Sequence, residues 1–452
     1  MSRAGRLLTV DRTVLGRWLH IAHQAVICLG VFLYIGAIIP TATPDSAVSV
    51  TSDPTNALLS ATMLLTGGIV CLAQWRVCLR LLPTLWPFLL IFLLAMTSST
   101  WSQAPAISFR RSGTLLGLEL YAVAAYVMFG PRRYMQLTMW TVLVLSVLGV
   151  VVAILSPAAG MDVGDYANAV RGFFPQKNGF GIAMLDGTLA LSFVMLDRGK
   201  LRWTDLAMMG VLMVILVLSR STTSLLLSLI VVIATLGLLA LERGGTWRML
   251  AILAAIVAVV GGSILVTLVG VSGLFELIGK DSTLTGRTEI WEAVWVSIHQ
   301  RELLGYGYNG FWLPDTLEIQ RIWADVGWKV PAAHSGYLDL MLQFGEVGVA
   351  LLILVTLASV WWSVVALFGS GQRRALWFLL LMAVHAILDR SESGLFTPDQ
   401  RLAFWIIGAL AVTAELRMRR WAAAKPSAGA GPNHAIRRAA GARPSAVRSH
   451  NS

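Results

Sequence analysis

Three residues of this chain, Arg220, Arg287 and His334, have the types and surroundings needed to handle a phosphorylated substrate. Arg287 lies in a Gly-Arg-Thr turn that opens a stretch of helical spacing, Thr288 to Gln300. A helix N-terminus already favours an anion, and a guanidinium beside it adds a permanently charged, bidentate donor. That pairing is what a diphosphate would need. Arg220 lies in LSRSTTSLL, between two apolar runs with hardly any loop to escape into. Charge at such a place is costly and demands a reason. His334 stands just before another apolar run, at a water boundary, where an imidazole of near-neutral pKa suits general-base work. Each residue also has a plainer reading. An arginine at a span end can snorkel to water, and a lone histidine is more often structural.

Arg287 and His334 belong to a polar island, Val271 to His334, set inside an otherwise membrane-like sequence. Loops much beyond ~15 residues are usually functional or disordered, and this one is too rich in aromatics for disorder. It reads as the lid and part of the active site of a membrane enzyme. In its helix, Trp291, Val294, Trp295 and Ile298 share a face while Glu289, Glu292 and Gln300 point away. An interfacial anchor explains the tryptophans but not Arg287. Further on, GYGYNGFW (Gly305 to Trp312) supplies glycines for tight turns and aromatics, Tyr306 and Tyr308 among them, that could stack on sugar rings or simply pack.

The elements that must position these residues are membrane spans. The hydrophobic fraction is 56% and the charged fraction only 13%, which excludes an ordinary soluble globular chain. Apolar segments of spanning length, roughly 20 residues each, recur about twelve times. They lie near 19–39, 57–74, 84–98, 113–129, 136–155, 179–196, 205–219, 222–241, 249–271, 336–367, 375–389 and 402–416. With the N-terminus inside, every inner segment is basic: Arg76 and Arg80, Arg132 and Arg133, Arg198 and Lys200, Arg243 and Arg248, Arg373 and Arg374. The positive-inside rule then gives N-in, C-in topology with the island outside. The net charge of +11 is therefore topology and attraction to anionic lipid, not nucleic-acid binding. Residues 1–416 form the polytopic membrane domain, with residues 271–335 inserted between the ninth and tenth spans. Residues 417–452, rich in Ala, Pro, Ser, Gly and Arg, form a basic cytoplasmic tail expected to be disordered. The cysteines, Cys28, Cys71 and Cys78, lie in or beside spans and make neither a disulfide framework nor a metal motif.

Other outer segments carry cations where the rule depletes them. Arg110 and Arg111 lie in SSTWSQAPAISFRRSG, and Arg171 and Lys177, with Asn178, in AVRGFFPQKNGFG. Arg171, Lys177 and Asn178 could contact phosphate or sugar, whereas for Arg110 and Arg111 anchoring a span is explanation enough. Glu119, Asp186 and Asp339, in or near spans, read as partners of buried polar groups.

SRSTTS, GRTEIW, GYGYNGFW and HSGYLDLMLQFGEVG, with WSQAPAISFRRS and FFPQKNGFG before them, strongly resemble the O-antigen ligase and Wzy-type polysaccharide polymerase superfamily. The resemblance runs from about Trp101 to Trp405. QKNGFG, STTS and SESGLF look more like exopolysaccharide polymerases than lipopolysaccharide ligases. The resemblance implies an all-α integral membrane protein of about twelve transmembrane helices, with a large periplasmic loop between helices 9 and 10 and GT-C-type glycosyltransferase architecture. It also implies a place in the bacterial inner membrane and an active site facing the periplasm. The substrate would be an undecaprenyl-diphosphate-linked oligosaccharide, polymerised by inverting transfer without metal or cofactor, with a flippase and a chain-length regulator as partners beside membrane lipid. Arg220 matches the arginine of the serine-arginine element and Arg287 that of Gly-Arg-Thr, so both would bind the lipid diphosphate. His334 matches the histidine that activates or orients the acceptor hydroxyl. Arg171, Lys177, Asn178, Glu289, Tyr306, Tyr308 and Tyr337 would line the substrate. Two alternatives remain: an O-antigen ligase that transfers polymer to lipid A-core, and a polysaccharide or lipid transporter.

Overall fold

The computed structural model describes residues 14–36, 54–162, 168–246, 248–249, 253, 287–368 and 371–424. The expected span at 249–271 (apart from residues 249 and 253), the head of the island up to residue 286, and the tail from residue 425 lie outside them. Among the described residues the secondary structure is helical, with one isolated bridge between Met161 and Val170. The helices are α1 (Val14–Tyr34), α2 (Pro54–Ala73), α3 (Trp75–Thr97), α4 (Pro105–Leu155), the one-turn α5 (Pro157–Gly160), α6 (Lys177–Arg198), α7 (Trp203–Ser219), α8 (Thr222–Arg243), α9 (Arg287–Gln300), α10 (Leu317–Val326), α11 (Gly336–Leu367), α12 (Gln372–Leu388) and α13 (Gln400–Ala424). Five of them are long and apolar enough to cross a membrane. The chain is a multi-pass membrane protein. The last helix continues to Ala424, past the expected end at 416.

The long helix α4 covers two expected spans because it is two arms. Gly130 departs from helical geometry (φ 69°, ψ 168°) and Pro131 follows it. Glycine supplies the positive φ, and proline suits the first turn of the new arm. Tyr121 and Tyr134 would lie roughly 20 Å apart along one straight helix. Their rings are 6.2 Å apart, so the chain doubles back.

The centre of the bundle is α6, buried along nearly its whole length from Phe180 to Leu196. Being apolar and small-residued on all sides, it can take neighbours on every face. A Cβ on Gly187 would meet Val142 at 2.7 Å, so only glycine lets the second arm of α4 approach that closely. Two of its buried polar groups are satisfied across helices: Ser192 with Thr235 at 2.6 Å, and the Leu189 carbonyl, which accepts from the Trp377 indole at 2.9 Å. One end of the bundle is braced by ion pairs from basic segments, Arg374 to Asp197 at 2.8 Å and Arg373 to Glu242 at 2.8 Å.

At the other end the described part of the island folds over a second, smaller core. Ile290, Val294 and Ile298 of α9 pack there with Tyr306, Phe311, Ile319, Ile322, Val330, Leu338 and Leu342. The buried face of α9 is thus set by Ile290, Val294 and Ile298 rather than by both tryptophans. Trp295 stays exposed and Trp291 is tied down by its indole, which donates to the Ala333 carbonyl at 3.0 Å.

The second long helix with an interruption is α11, which breaks at Gly345 (φ 59°, ψ −148°). The break frees backbone groups that an apolar setting cannot leave unpaired. The glycine-rich loop satisfies them. Tyr306 and Gly307 donate their N–H groups to the Leu342 and Gln343 carbonyls at 2.7 and 3.0 Å, while Glu346 and Val347 donate to the Glu302 and Leu303 carbonyls at 2.7 and 3.3 Å. A Cβ at Gly345 would lie 2.1 Å from the Glu302 oxygen. Gly345→Ala should therefore lower the stability of the purified protein by about 2–4 kcal/mol, from clash and positive φ together. Thermal melts in detergent check this against Gly210→Ala, whose Cβ meets nothing within 4 Å and which should be near neutral. Equal melting of the two variants would mean that the loop is not seated in the break.

Candidate active site

The motif elements converge at the end of the bundle that carries the island. The loop after α12, Asp389 to Asp399, is folded around one guanidinium. Arg401 donates to the Asp389 carboxylate at 2.7 Å, to the Asp399 carboxylate and to the Ser393 carbonyl. Gly394 must lack a side chain, since a Cβ there would lie 1.3 Å from an Arg401 nitrogen. So braced, the loop presents the Ser391 carbonyl and the Glu392 carboxylate to Arg287. One guanidinium nitrogen donates to Ser391, and the other reaches Glu392 Oε1 at 3.3 Å. Asn178, from the first turn of α6, donates to the same carboxylate oxygen at 3.2 Å. The N–H of Gly336 donates to the Asp389 and Glu392 carbonyls at 2.7 and 3.1 Å, which brings the His334 turn to the same loop. Arg287, Asn178 and the His334 turn, far apart in sequence, thus meet around residues 389–392.

His334 is half-buried with φ 49°, a left-handed conformation uncommon in non-glycine residues that the surroundings hold in place here. They do so through Ala333. Its N–H donates to Asp339 Oδ1 at 3.2 Å and its carbonyl takes the Trp291 indole, while Asp339 Oδ1 also accepts from the Trp312 indole at 2.8 Å. Asp339 is thus a partner of buried polar groups, as its sequence position suggested. Burial, reinforced by the nearby Arg287 guanidinium, pulls the His334 pKa down to about 4. The near-neutral value expected from sequence is corrected by this environment. The imidazole is neutral at pH 7, the form that can accept a proton.

Arg220 caps α7 with φ 53° and is exposed. Its turn packs on the start of α6, where a Cβ at Gly181 would meet Ser221 at 2.4 Å, and the Val170 N–H donates to the Leu218 carbonyl at 3.1 Å. Among the described residues five non-glycines have positive φ, and two of them are Arg220 and His334. Such strain persists where a structure over-determines it, and it concentrates at functional sites.

The remaining candidates divide. Lys177 and Asn178 open α6 beside this loop, and the Lys177 backbone N–H donates to Asp162 at 3.2 Å. Glu289 lies exposed in the first turn of α9. Tyr337 is half-buried, its hydroxyl donating to the Ala386 carbonyl at 2.9 Å. Arg171 spends its guanidinium on backbone carbonyls, Met161 at 2.8 Å with Phe174 and Ala158 at 3.4 Å. Tyr306 and Tyr308 are fully buried. The Tyr306 hydroxyl donates to the Ser297 carbonyl at 2.9 Å, and Tyr308 stacks on Phe344 and donates to the Phe396 carbonyl at 3.1 Å. Rings so enclosed present no face to a sugar. The expectation of stacking is corrected by their packing into the α11 break.

The WSQAPAISFRRS segment is the socket for that same loop. The Trp101 indole donates to Leu304 at 2.9 Å, Gln103 to Gly310 at 2.7 Å and Arg111 to Asn309 at 3.3 Å, all to carbonyls. Glu392 is the residue that sequence reasoning passed over; the only signal was its place within SESGLF. Among the described residues no three His, Cys, Asp or Glu side chains gather as metal ligands do.

Residues 206–353 match the family model described as O-Antigen ligase, a stretch that contains Arg220, Arg287 and His334. The chain is also 26% identical over 283 residues to the exopolysaccharide production protein ExoQ of Rhizobium meliloti. That match covers 60% of this chain and 62% of the relative, less than two thirds of its length.

Proposed function

We propose, from the match of residues 206–353 to the O-antigen ligase family model, that this protein is a glycosyltransferase that extends a polysaccharide on a lipid diphosphate. The observation that carries the reading is the convergence of Arg287, Asn178 and the His334 turn on residues 389–392. In the reaction, an acceptor sugar hydroxyl attacks the anomeric carbon of the donor. The bond from that carbon to the phosphate oxygen breaks with inversion, the electron pair leaves with the diphosphate, and the hydroxyl proton passes to His334. The lipid diphosphate is already a competent leaving group. What the protein adds is position, fixed positive charge and a proton acceptor. Arg287 and Arg220 would hold the charge that develops on the phosphates. As that charge offsets Arg287, the His334 imidazole becomes more basic when proton transfer is due.

The likeness to an exopolysaccharide production protein favours a polymerase, and the family description favours a ligase that hands finished polymer to lipid A-core. Deleting the gene and analysing surface glycans together with lipid-linked intermediates separates them. A polymerase defect leaves single repeat units on the lipid, a ligase defect leaves long lipid-linked polymer, and unchanged glycans would remove both readings.

The same proposal places the protein in the bacterial inner membrane, N-in and C-in, with the site facing the periplasm. Reporter fusions or cysteine labelling should find Asp281, Asn309 and Lys329 outside and Arg133, Arg243 and Arg374 inside, following the charge asymmetry of the segments. An island located in the cytoplasm would overturn both topology and function.

A further inference from the structure

The guanidinium that would grip the donor already holds an anion. Glu392 Oε1 accepts from Arg287 at 3.3 Å and from Asn178 at 3.2 Å. The ion pair is largely withdrawn from solvent, with side-chain exposures of 16% for Arg287 and 12% for Glu392, so little screening weakens it. The backbone beneath Glu392 is fixed by the Gly336 N–H and by the Arg401 clasp on Asp389, Asp399 and Ser393. Its side chain keeps its own rotatable bonds, so the carboxylate can leave Arg287 without the loop moving.

We propose that Glu392 is a built-in competitor for the diphosphate seat, yielding Arg287 and Asn178 to the incoming donor and reclaiming them as the product departs. The inference rests on the diphosphate reading of the site given above. A diphosphate drawn to this guanidinium would lie against the Glu392 carboxylate, and like charges at contact distance repel. The repulsion does not fall equally on donor and product. In the donor both phosphates are diester-like, with one ionised oxygen each. When the anomeric bond breaks, its oxygen stays with the phosphate. The terminal phosphate then resembles a monoester, whose second ionisation lies near pKa ~6. The product therefore carries more negative charge at pH 7 than the donor. Glu392 bears harder on the product, discriminates against it and speeds its release.

The test uses full-length protein purified in detergent, with farnesyl diphosphate as the product-like probe and its glucosyl diester as the donor-like probe. Glu392→Gln should bind farnesyl diphosphate about tenfold more tightly than the parent, with a smaller gain for the diester. Glu392→Asp, with its shorter reach, should fall between and serves if the glutamine variant does not fold. In turnover assays Glu392→Gln should show stronger product inhibition and a lower kcat. Unchanged or weaker probe binding in both variants would overturn the proposal and leave Glu392 a mere support for Arg287. The diphosphate reading fails separately, if the parent binds neither probe or if Arg287→Ala binds both as well as the parent does.

Discussion

Arg287→Ala should abolish polymer formation while the protein still inserts and accumulates. The guanidinium offers charge-assisted bonds, each worth about 1.5–3 kcal/mol to a phosphate. Removing one fixed donor from a site that stabilises developing charge typically costs about 10²–10³-fold in rate. The lysine variant should also be impaired, because an ammonium cannot hold two groups in a fixed fork. Alanine at 287 strips Glu392 of its cation as well, and a partly buried carboxylate left with the Asn178 amide but no compensating charge costs stability. The double variant Arg287→Ala/Glu392→Gln removes that complication and should be stable yet inactive. Arg220→Ala needs no such control, since Arg220 is exposed; it should be inactive at normal abundance. Normal product from both alanine variants at normal expression would end the diphosphate-clamp hypothesis.

His334→Ala should lower turnover by about 10²–10⁴-fold, the usual contribution of a general base, while donor binding stays largely intact. Because residue 334 has φ 49°, asparagine is the better isostere; it tolerates the left-handed region and can still hydrogen-bond the acceptor hydroxyl. His334→Asn should therefore keep acceptor affinity but not rate, which separates orientation from proton removal. The pH dependence has a definite sign. The neutral imidazole is the active form, and it is lost as pH falls through the pKa of about 4. The acid limb of kcat/KM, which reports the enzyme before substrate binds, should lie near 4 rather than near the unperturbed 6.5. The limb of kcat should lie higher, because bound diphosphate offsets Arg287. A His334→Ala enzyme that polymerises near the parental rate would remove the histidine from the mechanism. Loss of donor binding in that variant would move it into the diphosphate site.

The parts of this molecule that could be read from sequence are those set by local composition. Helices occupy the apolar runs, and the Gly130–Pro131 step divides α4 where the charge of Arg132 and Arg133 already marked a turn. The site arginines and His334 stood out because their chemistry conflicts with their surroundings. What stayed hidden depends on partners far along the chain. The break at Gly345 has its cause forty residues upstream, in carbonyls of Glu302 and Leu303 that accept the displaced N–H groups. Tyr306 and Tyr308 look the same in sequence whether they face a sugar or the protein interior. Glu392 gains meaning only from Arg287 and Asn178, each more than a hundred residues away. The unusual dihedrals of Arg220 and His334 likewise have no signature in residues that seldom adopt them.

The exchange of backbone hydrogen bonds at Gly345 also limits how the lobe built from the island can move. Residues 302–310 are riveted to α11 by main-chain bonds and to the 98–111 segment by side chains, so that half cannot swing without unpairing several buried groups. The Leu317–Val326 helix is held differently, by the side-chain packing of Ile319 and Ile322. It is bounded by the turn before Thr316 and by Gly327 at φ 81°. An opening of this lobe would therefore hinge at those two points and on one side only. Under the proposed function, a growing sugar chain, far bulkier than the diphosphate, would pass under that half while Arg287 and His334 stay anchored to residues 389–392.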